Sequence, residues 1–228
     1  MAQKVFKKTH KAGDPTLSGR LEELVEYARA RGASDAKVIS SSEIVLDPRV
    51  RFKCMIPKCF ASGTCSHCPP HGYSLETVAR IVSQYESAVF FRVLVDPEII
   101  AGPKVSESLN SGLLDDTGTL VNLGAHYMLV FQIVVLLEKR ARQFGFSPAG
   151  FAAGTCRDVL CHFQAYCQAL MTSKGCRHPD LSRPSMESCG MNAYTMAARA
   201  GWDVYPIGGT CRPHLVPHGS LMGLVLIA

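Results

Sequence analysis

Leu120 to Leu137 reads LVNLGAHYMLVFQIVVLL and runs directly into Glu138, Lys139 and Arg140. The fold class turns on whether this stretch crosses a membrane or fills a core. Its length is at the short end of a membrane span, but Asn122, His126 and Gln132 lie within it, and such groups are costly in lipid. A buried core helix is therefore expected, from about Thr119 to Phe144, with Gly145 as its stop.

Working outward from that helix, Ala88 to Val95 is a continuous apolar run with one arginine, short enough for a strand buried on both faces. Ser74 is placed to cap a helix with Val78, Ala79 and Val82 on one face, ending near Ser87. Leu17, Leu21, Leu24, Val25 and Ala28 recur at helical spacing before Gly32, and the β-branched residues of Lys37 to Leu46 indicate a partly exposed strand. Asp96 to Gly118, with its prolines, glycines and serines, reads as a surface loop, and a lid is the alternative. On the other side, a short strand leads through Phe151 to Gly154, Ala193 to Ala200 is helical with Gly201 as its stop, Gly208-Gly209 marks a turn, and Trp202 to Ile207 and Leu221 to Ile227 read as strands. Helices alternating with short strands predict an α/β or α+β protein with a mixed sheet flanked by helices. One domain over 17–228 is expected, with a polar tail over 1–16 and cysteine-rich loops at 54–70 and 154–190.

With 228 residues and 47% hydrophobic content, the chain can bury an ordinary core without staples, so its ten cysteines call for another explanation. Met1 to Thr16 lacks the apolar stretch of a secretory signal, which implies a reducing, cytoplasmic setting in which thiols serve as ligands. The net charge of +5 is modest, with cations densest at Lys4 to Lys11 and Lys139 to Arg142. It demands no nucleic-acid partner, and an acidic partner protein or an anionic substrate stays open. No phosphate-cradling loop, dinucleotide fingerprint or serine elbow is present.

The first cysteine group is Cys54-x4-Cys59-x5-Cys65-x2-Cys68-Pro69-Pro70 and the second is Cys156-x4-Cys161-x5-Cys167-x8-Cys176. Four sulfurs so close along the chain can converge on one soft metal site, and the prolines end regular structure after the last thiol. Zinc sites favour paired knuckles or Cys/His mixtures, whereas a single x2 pair occurs here, so two iron–sulfur clusters, of the [4Fe-4S] kind, are expected and zinc is the alternative. His67, His71, His162 and His178 stand beside the thiols as substitutes or as hydrogen-bond donors to sulfur. Cys189 and Cys211 are left over and read as core residues. Arg157, Arg177, His178 and Arg183 surround the second group, where they compensate cluster charge or bind an anion. Pro184 followed by Ser185-Met186-Glu187 reads as the start of a helix, with Glu187 at its positive end.

Val50-Arg51-Phe52-Lys53-Cys54, Pro57-Lys58-Cys59 and Cys68-Pro69-Pro70-His71, followed by Glu76, Tyr85 and Ala88, resemble the opening of the DUF2284 family of predicted metal-binding proteins. Gly154-Thr155-Cys156-Arg157, Cys176-Arg177-His178-Pro179 and Arg183-Pro184-Ser185-Met186-Glu187 resemble its second half. The resemblance implies cysteine-bound metal, most simply iron–sulfur, and supplies no reaction. The x4 and x5 gaps of the second group are wider than the compact spacing usual in that motif. Three functions follow as expectations: electron transfer or a redox accessory role with a partner protein; an enzyme with an open iron acting as a Lewis acid; or a zinc-stabilised module. The sequence does not give the oligomeric state or the strand order.

Overall fold

Ser87–Val95 (β2) is buried along both faces because its alternate side chains enter two different cores. In this computed structural model, residues 15–101, 119–205, 207 and 212–228 are described. Residues 1–14 of the expected tail, 102–118 of the expected loop, the expected turn at Gly208-Gly209 and Cys211 lie outside the described residues. Around β2 the sheet runs β1-β2-β4-β3, antiparallel throughout, with β1 at Asp35–Ser40, β3 at Ala149–Phe151 and β4 at Gly219–Leu226. Helices and sheet together give the mixed α/β class expected, in its α+β form.

Val89, Phe91, Val93 and Val95 of β2, with Leu221 and Val225 of β4, face one core, which α1 (Pro15–Ala30) covers with Leu17, Leu21, Leu24 and Ala28. Ala88 and Phe90, with Leu224 and Leu226, face the opposite core. This period-two division explains a strand that is apolar at nearly every position. Phe91 fits because its partner in register is Gly223, where a Cβ would stand 2.3 Å from the ring.

The Leu120 to Leu137 stretch lies in a long helix, Thr119–Gln143, preceded by the short helices α2 (Pro48–Phe52), α3 (Leu75–Val82) and α4 (Pro97–Ala101), so it is α5. Val130, Phe131, Val134, Leu137 and Ala141 are buried against the sheet, while Asn122 and Gln132 are exposed. Each large apolar side chain so buried contributes about 1.5–3 kcal/mol. Gly145, at φ +88°, ends the turn after α5. Among the described residues no helix is long and apolar enough to cross a membrane.

The opposite core is closed by Val78 and Val82 of α3, by Trp202, and by a helix at Ala193–Arg199, which follows α6 (Cys156–Leu160) and α7 (Gln168–Met171) and is α8. Five local expectations change, and the first is that the loop expected over Asp96 to Gly118 opens with a helix, Pro97–Ala101, after Asp96 accepts from the Glu98 N–H. The strand expected to Leu46 ends at Ser40, which caps a short 3-10 turn at Ser41–Glu43 reciprocally with Glu43. α3 stops at Val82, because the N–H groups of Glu86 and Ser87 go to the carbonyl of Ala228 and begin β2. Trp202 to Tyr205 forms no strand: the Trp202 N–H closes the preceding helix on the Ala197 carbonyl at 3.0 Å, and its ring stacks on Phe90 at 4.9 Å. No helix follows Pro184; residues 186–190 form consecutive turns closed by Gly190 N–H to Glu187 O and Met191 N–H to Met186 O.

Both cysteine loops leave this frame from fixed points. The first joins α2 to α3, and the second runs from β3 to α8 through α6 and α7. A bridge between Leu46 and Met191 ties the base of the first loop to the end of the second, and one between Ala152 and Ser185 closes the second loop on itself.

Candidate metal centre

The first loop is shaped by backbone hydrogen bonds rather than by regular structure. Cys59 N–H donates to Cys54 O at 3.1 Å, while Ser62 Oγ and Gly63 N–H both donate to Pro69 O, at 3.1 and 2.7 Å. Gly72 lies so near the His67 carbonyl that a Cβ there would be 2.6 Å from its oxygen. Folded this way, the loop buries Cys65 and Cys68 and leaves Cys54 and Cys59 partly exposed.

In the second loop Gly154 has φ +69° and backs onto Tyr127, whose Cε1 a Cβ would approach to 2.7 Å. A side chain at 154 is therefore opposed by both backbone and packing. Thr155 then caps α6 by accepting from Arg157 N–H at 3.2 Å. The same hydroxyl oxygen lies 3.6 Å from Cys68 Sγ, which donates to it, and 3.8 Å from Cys65 Sγ. Sequence reading quoted Thr155 within a motif without giving it a role. The N-cap signal of a threonine before Cys156-Arg157-Asp158 was available to find it.

The two loops meet at their thiols. Cys65 makes hydrogen-bond contact with Cys156 and with Cys68, and Ala61, Cys65 and Cys68 form a small cluster packed by Cys59, Cys156 and Cys167. Hydrogen bonds from Cys156 and Cys68 push the Cys65 thiol down, and the same contact, with burial, pushes Cys68 and Cys156 up. His67 stands beside them, its Nδ1 3.7 Å from Cys156 Sγ and 3.4 Å from Ser182 Oγ, and burial pushes its pKa down toward the neutral ring.

Cys161, Cys167 and Cys176 line a small cleft together with Cys65, Cys156, Arg157, Arg177 and His178. Cys176 Sγ accepts from the His178 N–H at 3.3 Å. Arg157 is held by the carbonyls of Cys161 and Gln164, and Arg177 by the carbonyl of Tyr166, over whose ring it lies at 4.9 Å. Arg183 is placed elsewhere: its guanidinium grips the buried Glu138 with two bonds of 2.9 and 2.8 Å, so it fastens the loop base to α5. His71 and His162 are exposed.

Cys54 lies near Cys59 and Glu187, and burial pushes its thiol up. Cys189 is buried among the methionines of the second core, as a core residue would be. Glu187 departs most from its expected setting. Its carboxyl is buried with Oε2 lacking any hydrogen bond, and burial pushes its pKa up.

Among the described residues no three His, Cys, Asp or Glu side chains are arranged to hold a single metal ion. A zinc tetrahedron with Zn–S bonds of about 2.3 Å places its sulfurs about 3.8 Å apart. A cluster of several irons is wider, so Cys65, Cys68 and Cys156, which pack together here, would part to hold one. The donor set itself suits a thiophilic metal. No described cysteine forms a disulfide, and the Thr155 hydroxyl and His178 N–H already contact sulfur as second-sphere groups do.

An α+β frame that brings two cysteine-rich loops together at their thiols is the arrangement expected of a cysteine-rich metal-binding protein. The chain belongs to the DUF2284 family, described as predicted metal-binding protein, whose model matches residues 37–227. No curated protein and no solved structure matches the chain.

Proposed function

We propose that this protein is a cytoplasmic iron–sulfur protein that binds two clusters, of the [4Fe-4S] kind, and acts in electron transfer or as a redox accessory to a partner protein, with residues 17–228 as its one domain. The observation that carries the reading is the meeting of the two loops through Cys65, Cys68 and Cys156. Clusters held there supply one-electron redox chemistry. The chain's own groups set their surroundings: Thr155 and the His178 N–H contact sulfur, and Arg157 and Arg177 bring positive charge beside thiolates.

A partner is supported by the loop surfaces. Ile56, Phe60, Phe163 and Met171 are 62%, 63%, 85% and 66% exposed. Neither Pro48 to Leu75 nor Val159 to Pro179 contains an acidic residue, whereas Arg49, Arg51, Lys53, Lys58, Lys174 and Arg177 fall within them. An apolar surface with basic charge suits an acidic redox protein.

A second reading is favoured by the cleft beside Cys161, Cys167 and Cys176, which gives a small anionic substrate access to an iron acting as a Lewis acid. Iron and sulfide counts on anaerobically purified protein test the primary reading. About eight of each per chain are expected for two [4Fe-4S] clusters. Stoichiometric zinc without sulfide overturns it.

A further inference from the structure

We propose that the metal ligands cross between the two cysteine loops: Cys156 joins Cys59, Cys65 and Cys68 in one site, and Cys161, Cys167 and Cys176 form a second site that has three thiolates and opens on the cleft. This rests on the cluster reading above and changes its ligand sets from the two runs read along the chain.

Three observations carry it. Cys156 packs against the cluster that Cys65 and Cys68 form in the other loop. Thr155, the neighbour of Cys156 in sequence, places one hydroxyl against the sulfurs of both Cys65 and Cys68, so the entire start of α6 is docked on the first loop. The helix itself then separates Cys156 from its sequence companions. Cys156 is the first residue of α6 and Cys161 its C-cap, five positions on. At 3.6 residues per turn they project about 140° apart around the axis. Cys161 instead shares the wall of the cleft with Cys167 and Cys176. Cys59 packs against the Cys65 and Cys68 group and belongs to the same loop, which selects it as the fourth member.

The second site is left with three thiolates. His178 lines the same cleft, two residues beyond Cys176, and is the one imidazole on its wall. Cys167 also packs on the first group, so the two sites are neighbours and electrons pass over a short path between them.

The test uses the full chain, purified anaerobically, with Cys156→Ser, Cys68→Ala and Cys161→Ala compared by iron content and by electron paramagnetic resonance during redox titration. Cys156→Ser is expected to lose about half the iron and the same signal as Cys68→Ala, while Cys161→Ala loses the other signal. Loss in Cys156→Ser of the signal that Cys161→Ala loses overturns the crossing and leaves the two-cluster reading intact. Absence of iron and sulfide in the wild type overturns both. A second measurement needs no variant: stepwise chelation of the wild type followed by alkylation and mass spectrometry. Cys156 is expected to become reactive together with Cys65 and Cys68, and reactivity gained instead with Cys161, Cys167 and Cys176 overturns the proposal.

Discussion

The sheet and the cysteine loops hold their chains in place by opposite means. β2 and β4 share a ladder of eight residue pairs, from Ala88↔Leu226 to Val95↔Gly219, with Phe90, Val89, Leu224 and Val225 fully buried. The loops contain helices of only five and four residues, α6 and α7, and leave Phe163 and Met171 in solvent. Helices so short have no stability of their own. The sheet is thus held by apolar burial and regular hydrogen bonds, whereas the loops rely on turns, on the thiol contacts and, in the proposed holoprotein, on metal bonds made only in the folded state.

The largest expected effect is in the frame. Phe131→Ala, at a fully buried position of α5, should cost about 3–5 kcal/mol, measured by denaturant unfolding, while metal bound per folded molecule stays unchanged. Metal lost in proportion to stability would break the division between the two regions. Next in size is the fastening between them. Glu138→Gln removes the charge that Arg183 and Arg142 grip, and is expected to cost nearer the lower end of the about 3–5 kcal/mol for breaking a buried pair, because Arg142 is half exposed. Hydrogen exchange should rise around Pro179 to Ser185 and not in β2.

Removing metal by chelation under reducing conditions should raise amide exchange across residues 54–72 and 155–178 while β2 and β4 stay protected. Uniform loss of protection would mean that the sheet depends on the metal as well. Glu187→Gln should stabilise the protein, and the gain should grow with pH. The wild-type carboxyl has its folded pKa raised by burial, so it favours folding while protonated and loses that contribution as pH rises through the folded value. Thermal melts from pH 5 to 8 that run parallel for the two proteins would refute this.

The smallest effect is at Asp47, which caps α2 and pairs with Arg49 at 2.8 Å. Hydrogen bonds from Arg49 pull its pKa down to about 2. Its contribution is present above the ordinary carboxylate pKa, near 3.8, and is lost as pH falls toward 2. Asp47→Asn should therefore melt slightly below wild type at neutral pH and level with it near pH 2.

The sequence by itself determined the elements whose signals are local. Periodicity and caps located α1, the Ser74 start of α3, α5 with Gly145, and α8 with Gly201, because a helix is specified by neighbours a few residues apart. The continuous run at Ala88 to Val95 was enough for a doubly buried strand. The dense thiols and the two motifs showed a metal-binding protein and its family. Long-range packing alone settled the strand order β1-β2-β4-β3, the displacement of Trp202 from an expected strand onto the face of Phe90, the recruitment of Arg183 by Glu138 across 45 residues, and the burial of Glu187 with its Oε2 left without a hydrogen bond. It also decided which thiols touch. Cys65 and Cys156 lie in different runs, and Thr155 reaches Cys68 from 87 positions away. Contacts at such separation are fixed by how the sheet and α5 set the two loop bases side by side, and no spacing within either run carries that information.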